Sequence, residues 1–202
     1  MALTIYGQSG SRAIRALWMA EELSLDYTHD PITFAEGTKQ PGYEKINPNR
    51  RVPSIVDGEF RLWESMAINL YLAKKAGGAL APKDLEEDAL MTQWSFWAMT
   101  ELEKTLLQAL FHHFGMFELD KDPGLVSENI QALAPQFTVL NDHLADREYL
   151  LGDRFTAADL NVASVLTFAE MVGEEFEPYP QLANWQQRCT AREALARARA
   201  KA

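Results

Sequence analysis

Between Asn47 and Leu72 the chain reads NPNRRVPSIVDGEFRLWESMAINLYL. A Val52-Pro53 pair lies among strand-like residues, an Asp57-Gly58 turn follows, and a Glu64-Ser65 pair opens a helix. A proline at a sheet removes a backbone donor, so it sits at an edge or serves a purpose there. Glu64 and Ser65 put a carboxylate and a hydroxyl at a helix N-terminus, where unpaired backbone N–H groups already favour an anion. Such a site would take a small zwitterion, its amine at Glu64 and its carboxylate at Ser65. Alone, Pro53 can mark an edge strand and Ser65 can cap a helix. Their joint occurrence at this spacing favours a binding site.

The elements that must position these residues follow from periodicity. Residues 3–6 (LTIY) form a short apolar run followed at once by glycine, as in a buried strand. From Ser11 to Leu23 the pattern is helical, with Ile14, Leu17 and Trp18, and a short strand follows near Tyr27 and Thr28. Val52–Val56 and Arg61–Trp63 read as paired strands joined by the Asp57-Gly58 turn. Ser65 to Lys75 returns to helix. Gly77-Gly78 and Pro82 mark a break, and everything beyond reads as helix. Ala89–Phe117 and Asn129–Ala145 are long patterns, the second interrupted by Pro135, and a third opens at Thr156-Ala157-Ala158-Asp159, a short-acid capping box. The tail from Arg192 alternates arginine and alanine and is expected to be a solvated helix.

With 202 residues, 47% hydrophobic and 24% charged, the chain can bury a sizeable core in one large or two small domains. The net charge of −10 argues against a nucleic-acid surface, which needs clustered Lys and Arg. Cys189 stands alone, so an internal disulfide and any multi-cysteine metal site are excluded, and a reducing compartment is expected. The start, MALTIYGQSG, lacks a secretory pattern, and no run approaches the apolar length of a membrane span. A cytoplasmic location, with no membrane partner, is therefore expected.

The trio Val52-Pro53, Asp57-Gly58 and Glu64-Ser65 resembles the glutathione-binding half of the glutathione transferase family, and the zwitterion matches the γ-glutamyl end of glutathione. The resemblance implies an α/β plus all-α architecture, a thioredoxin-like N-terminal domain followed by an all-helical one. The corresponding boundaries are residues 1–76, a linker over 77–86, and a helical domain over 87–202 that carries the electrophile site. It also implies a cis proline at Pro53, with the Val52 backbone pairing with the cysteinyl part of glutathione. Homodimers are usual in the family, as is a detoxifying role.

A transferase of this kind must make the glutathione thiol nucleophilic. A free thiol has a pKa near ~8.5, so only a few per cent is thiolate at pH 7. Lowering that pKa by about 2 units takes roughly 2.7 kcal/mol of preferential thiolate stabilisation. A hydroxyl donating to the sulfur, together with a nearby helix N-terminus, can supply it. Ser9 and Ser11 both follow the first strand and precede the first helix. The run Ser11-Arg12-Ala13-Ile14-Arg15-Ala16-Leu17-Trp18, followed by Glu21-Glu22-Leu23, resembles the Ser-Arg-x-x-Arg-x-Leu-Trp stretch of bacterial and fungal serine-type transferases. That resemblance places Ser11 ahead of Ser9, with an N-cap role as its other reading. Tyr6, in the first strand, is a weaker candidate and fits a core position.

The same resemblance assigns Lys39 and Arg51 to the glycine carboxylate of glutathione, beside Val52, Pro53, Glu64 and Ser65. Arg50 departs from the family, which more often has glycine there. For the second substrate the family points to the helical domain, where Trp94, Trp97 and Phe111 are candidates, although an aromatic stripe also suits a core. His112-His113 lacks the i, i+4 spacing of a helical metal pair, so no metal is expected, and glutathione enters as co-substrate. Two other outcomes keep the same fold: glutathione-dependent disulfide or peroxide reduction, and a non-catalytic interaction module.

Overall fold

The computed structural model describes residues 2–201. They form two compact units, one running to Pro82 and taking back the chain from Ala191, the other spanning Lys83–Thr190. The first unit is built on a four-stranded sheet of β1 (Leu3–Tyr6), β2 (Tyr27–Asp30), β3 (Ser54–Asp57) and β4 (Phe60–Trp63). The spatial order is β2-β1-β3-β4, with β1 parallel to β2 and antiparallel to β3, which pairs antiparallel with β4. Helix α1 (Ala13–Glu22) makes the crossover from β1 to β2 that a parallel pair requires, and α2 (Ser65–Ala76) follows β4. The core gathers Leu3 and Ile5 of β1, Leu17 and Trp18 of α1, Ile55 of β3, and Ile68 and Leu72 of α2.

The hairpin turns one step later than the Asp57-Gly58 pair implies. Asp57 is still paired with Phe60, and the two-residue loop is Gly58-Glu59, with Gly58 at φ 64. Left-handed backbone at the first loop position is what a tight hairpin needs, and glycine supplies it without a steric penalty. Asp57 is free to do something else. Its carboxylate accepts a hydrogen bond from the Tyr71 hydroxyl at 2.7 Å and an ion pair from Lys75, tying α2 to the sheet.

Lys75, and then Tyr71, hold the Asp57 carboxyl below its ordinary 3.8, while Asp57 raises Lys75 above 10.5. A depressed carboxyl stabilises the fold above 3.8, and that contribution is lost as pH falls through the folded value. A raised ammonium contributes below 10.5 and loses its contribution as pH climbs through the folded value. Denaturant titrations of Lys75→Met and the parent chain should therefore differ by a constant amount between about pH 5 and 9. The gap should close as acid protonates Asp57. A gap that persists undiminished in acid would show that Lys75 acts only by packing.

Between β2 and β3 the chain forms two short 3-10 turns, Gly37–Lys39 and Tyr43–Lys45. The tail is not solvated. Helix α9 (Glu193–Arg199) buries Ala194, Leu195 and Ala198 against α1. Arg192 meets Glu22 with two nitrogens at 2.6 and 2.8 Å, and Arg197 and Lys201 both pair with Glu21.

The second unit is all helical. Helix α3 (Leu85–Trp97) runs through a π-helical segment (Ala98–Glu103) into α4 (Lys104–Phe114), followed by α5 (Pro123–Ala132), α6 (Ala134–His143), α7 (Ala157–Met171) and α8 (Pro180–Thr190). The first pattern starts earlier than Ala89 because Asp84 caps it, accepting the Glu87 N–H at 2.8 Å. It stops at Phe114 because Gly115, at φ 66, takes the left-handed position that ends helices. The break before Pro135 falls at Leu133, and α5 begins ahead of the expected pattern, with Asp122 as cap and Pro123 at its first position. Helix α7 is buried continuously from Ala157 to Leu166 and packs against α3, α4 and α8, so it is the core of this unit. Among the described residues, no helix is long and apolar enough to cross a membrane.

Candidate functional site

Strand register gathers the candidate residues of the first unit at one end of the sheet. Asp30, Tyr6, Ser54 and Trp63 form a row across the four strands. The loop after Tyr6, the Val52-Pro53 pair before Ser54, and the Glu64-Ser65 pair after Trp63 all continue from that row. Three segments far apart in sequence therefore border one surface.

Gly7 makes their close approach possible. At φ +122 its backbone is left-handed, and a Cβ there would lie 2.7 Å from Ala13 Cβ and 2.8 Å from Val52 Cβ. The loop that follows carries both serines, each half-exposed. Ser11 Oγ accepts the Ala13 N–H at 3.1 Å and donates to the Gln8 carbonyl at 2.7 Å, but the N-cap position of α1 is Arg12, one residue later, which makes no side-chain cap hydrogen bond. Ser9 Oγ donates to the Lys201 carbonyl at 2.6 Å. Tyr6 is half-exposed rather than core, with its ring edge-on to Tyr43 at 6.0 Å. Its hydroxyl is pushed above 10.0, first by burial and then by Asp30.

The Val52-Pro53 peptide bond is cis, the isomer that the resemblance implies. The carbonyl just before it, that of Arg51, accepts hydrogen bonds from the Tyr43 hydroxyl and from Asn47 Nδ2, both at 2.8 Å. Ser54 Oγ joins the same group, 3.0 Å from Tyr43 Oη and 3.1 Å from Asn47 Nδ2. Tyr43, Asn47 and Ser54 are all buried. This network fixes the backbone that presents Val52, and reading residue types in order missed it. The one available signal was the Asn47-Pro48 pair, which marks a turn but says nothing of where the amide points.

Glu64 is exposed, at φ 73 and ψ 114, and its carbonyl accepts the Ile68 N–H at 2.9 Å, so its backbone caps α2 while its carboxylate has no partner among the described residues. A non-glycine residue held at such an angle is strained, and strain of this kind collects at binding sites. Ser65, 4% exposed, begins the helix, and its Oγ accepts from Arg15 Nη1 at 3.2 Å. Arg15 is completely buried, which its place in the Ser-Arg-x-x-Arg stretch gives no sign of.

The basic residues divide into two kinds. Arg50 sits at φ 50, which explains why glycine is usual there, and spans Glu44 Oε2 at 3.2 Å and the Lys39 carbonyl at 3.1 Å. Lys39 and Arg51 are exposed and pair with no carboxylate among the described residues, leaving both cations available to an anion.

In the second unit the three aromatic candidates separate. Trp94 is 6% exposed, stacked edge-on against Trp97 at 5.2 Å and tilted against His143 at 4.8 Å, and so belongs to the core. Trp97 and Phe111 stay half-exposed, but fourteen residues of helix separate them, about 20 Å at 1.5 Å per residue. Phe111 packs instead on Phe117 at 4.8 Å. Trp94, Trp97 and Phe111 therefore do not line one small pocket. Among the described residues, no group of three or more His, Cys, Asp or Glu is placed to hold a metal ion.

Residues 1–74 match the family model of the glutathione S-transferase N-terminal domain, and residues 98–193 that of the C-terminal domain. Glutathione S-transferase theta-1 of Mus musculus is 31% identical over 200 residues, covering 95% of this chain and 83% of that protein. Glutathione S-transferase D6 of Drosophila melanogaster is 29% identical over 187 residues, covering 91% and 85%. Among solved structures, the theta class glutathione S-transferase of Xanthomonas axonopodis pv. citri, with glutathione bound, superposes with a TM-score of 0.88 at 30% identity, covering 100% of this chain and 98% of that one. On these matches, with the thioredoxin-like sheet and the helical unit, the chain belongs to the glutathione S-transferase family.

Proposed function

We propose that the protein is a glutathione transferase that holds the glutathione thiol as thiolate and directs it at electrophilic apolar compounds. The observation that carries this reading is the single row of strand ends from which the Ser9–Ser11 loop, Val52-Pro53 and Glu64-Ser65 all extend. Glu64 takes the γ-glutamyl amine, and Ser65 with the first turn of α2 takes its carboxylate. Val52 pairs its backbone with the cysteinyl residue, beside Pro53, and Lys39 and Arg51 attract the glycine carboxylate. The thiol then lies towards the start of α1. There the Ser11 hydroxyl turns from the Gln8 carbonyl to the sulfur, since a charged acceptor makes the stronger hydrogen bond. Ser9 is the alternative donor, and it would have to release the Lys201 carbonyl.

Residues 1–76 serve glutathione on this reading, and residues 87–202, beyond the 77–86 linker, serve the electrophile through half-exposed apolar side chains such as Trp97. The protein acts in the cytoplasm, as a homodimer. Phe60 and Trp63, 46% and 37% exposed on the edge strand β4, favour a protein partner there. The test is titration calorimetry with glutathione, followed by conjugation of a chloronitrobenzene. Saturable binding and a glutathione conjugate are expected. An absence of binding at millimolar glutathione would overturn the reading.

A further inference from the structure

Arg15 lies on α1 with no exposed surface, so its guanidinium acts on groups inside the protein rather than on water. Its Nη1 donates to Ser65 Oγ, and Ser65 is itself buried. A serine hydroxyl has one hydrogen and two lone pairs. Arg15 occupies a lone pair, while the Ser65 hydrogen is donated to no group among the described residues. The same hydroxyl stands at the first position of α2, among backbone N–H groups that have no partner within the helix.

We propose that Arg15 is a positioning residue for the ligand carboxylate. By holding Ser65 as an acceptor, it leaves the Ser65 hydrogen to be donated to an anion at the start of α2. Its charge, screened from water, adds to the positive end of the helix. This deepens the proposed glutathione site and rests on it: the pair Arg15–Ser65 makes the site select a γ-glutamyl group by its α-carboxylate. Glu64, exposed and without a partner among the described residues, reads the amine separately.

Three peptides separate those roles: glutathione, glutaryl-cysteinylglycine, which keeps the carboxylate and lacks the amine, and 4-aminobutanoyl-cysteinylglycine, which keeps the amine and lacks the carboxylate. Calorimetry on the full chain and on Arg15→Met should show the first two weakened by about tenfold and the third changed by less than about twofold. Arg15→Lys, which keeps the charge, should recover part of the loss. If Arg15→Met does not fold, Arg15→Lys alone must still discriminate the peptides in the same sense. Equal weakening of all three, or none, would overturn the proposal and leave Arg15 a core residue. Failure of the parent chain to bind glutathione would instead overturn the site itself.

Discussion

Asp159→Ala is expected to lower the unfolding midpoint by about 8–16 °C. Asp159 is completely buried and serves four donors. Its Oδ1 accepts the Leu150 N–H at 2.8 Å and the Trp185 indole N–H at 3.0 Å, and its Oδ2 accepts the Thr156 N–H and hydroxyl, both at 2.9 Å. The carboxylate therefore does more than cap α7. It joins the segment before that helix to α8, around the most buried helix of the unit. Burial pushes its carboxyl above the ordinary aspartate value, and the four donors work against that shift. Alanine would leave those donors buried and unpaired, costing at least about 4 kcal/mol. At roughly 2–4 °C per kcal/mol for a chain of this size, the stated range follows. Asp84→Ala, which removes an exposed cap, should cost only about 1 kcal/mol. A calorimetric scan in which the two variants unfold together would contradict this account.

The largest functional effect is expected from Ser11→Ala. With the bound thiol at a pKa near ~6.5 in the parent and ~8.5 in the variant, the thiolate fraction at pH 7 differs by about 25-fold. The kcat/KM for conjugation should fall by that factor at pH 7 and by less than about twofold at pH 9, where the thiol ionises unaided. Affinity for glutathione should barely move, because the proposed contacts to the γ-glutamyl and glycyl ends come from other residues. The lost hydrogen bond from the Ala13 N–H should cost about 1 kcal/mol of stability, too little to explain the rate. A loss equal at both pH values would mean that Ser11 positions the thiol without ionising it.

The sheet was legible in the sequence because β1 is a short apolar run closed by glycine and because β3 and β4 flank a tight turn, whereas β2, Tyr-Thr-His-Asp, carries little apolar signal. The helical unit was legible as helix, and its central element through the Thr156–Asp159 box. Other features lie beyond residue patterns. The π-helical segment at Ala98–Glu103 leaves the helical pattern intact and so gives no local sign. The arginine-alanine tail reads as solvated, yet it folds onto α1 because Glu21 and Glu22 hold three of its cations. Trp94 and Trp97 share one aromatic pattern, and only packing shows that the first is core. The same limit hid Asn47, Tyr43 and Arg15. A polar side chain looks exposed in a sequence, and its burial depends on partners many residues away.

The most direct test of the proposed chemistry is the ultraviolet thiolate absorbance of bound glutathione against pH, for the parent chain and for Ser11→Ala. The account predicts an apparent pKa about 2 units below that of free glutathione in the parent, returning towards the free value in the variant. A lowered value that survives the substitution would contradict the role given to Ser11 and transfer it to Ser9. No lowering in the parent would contradict thiolate activation by this protein altogether.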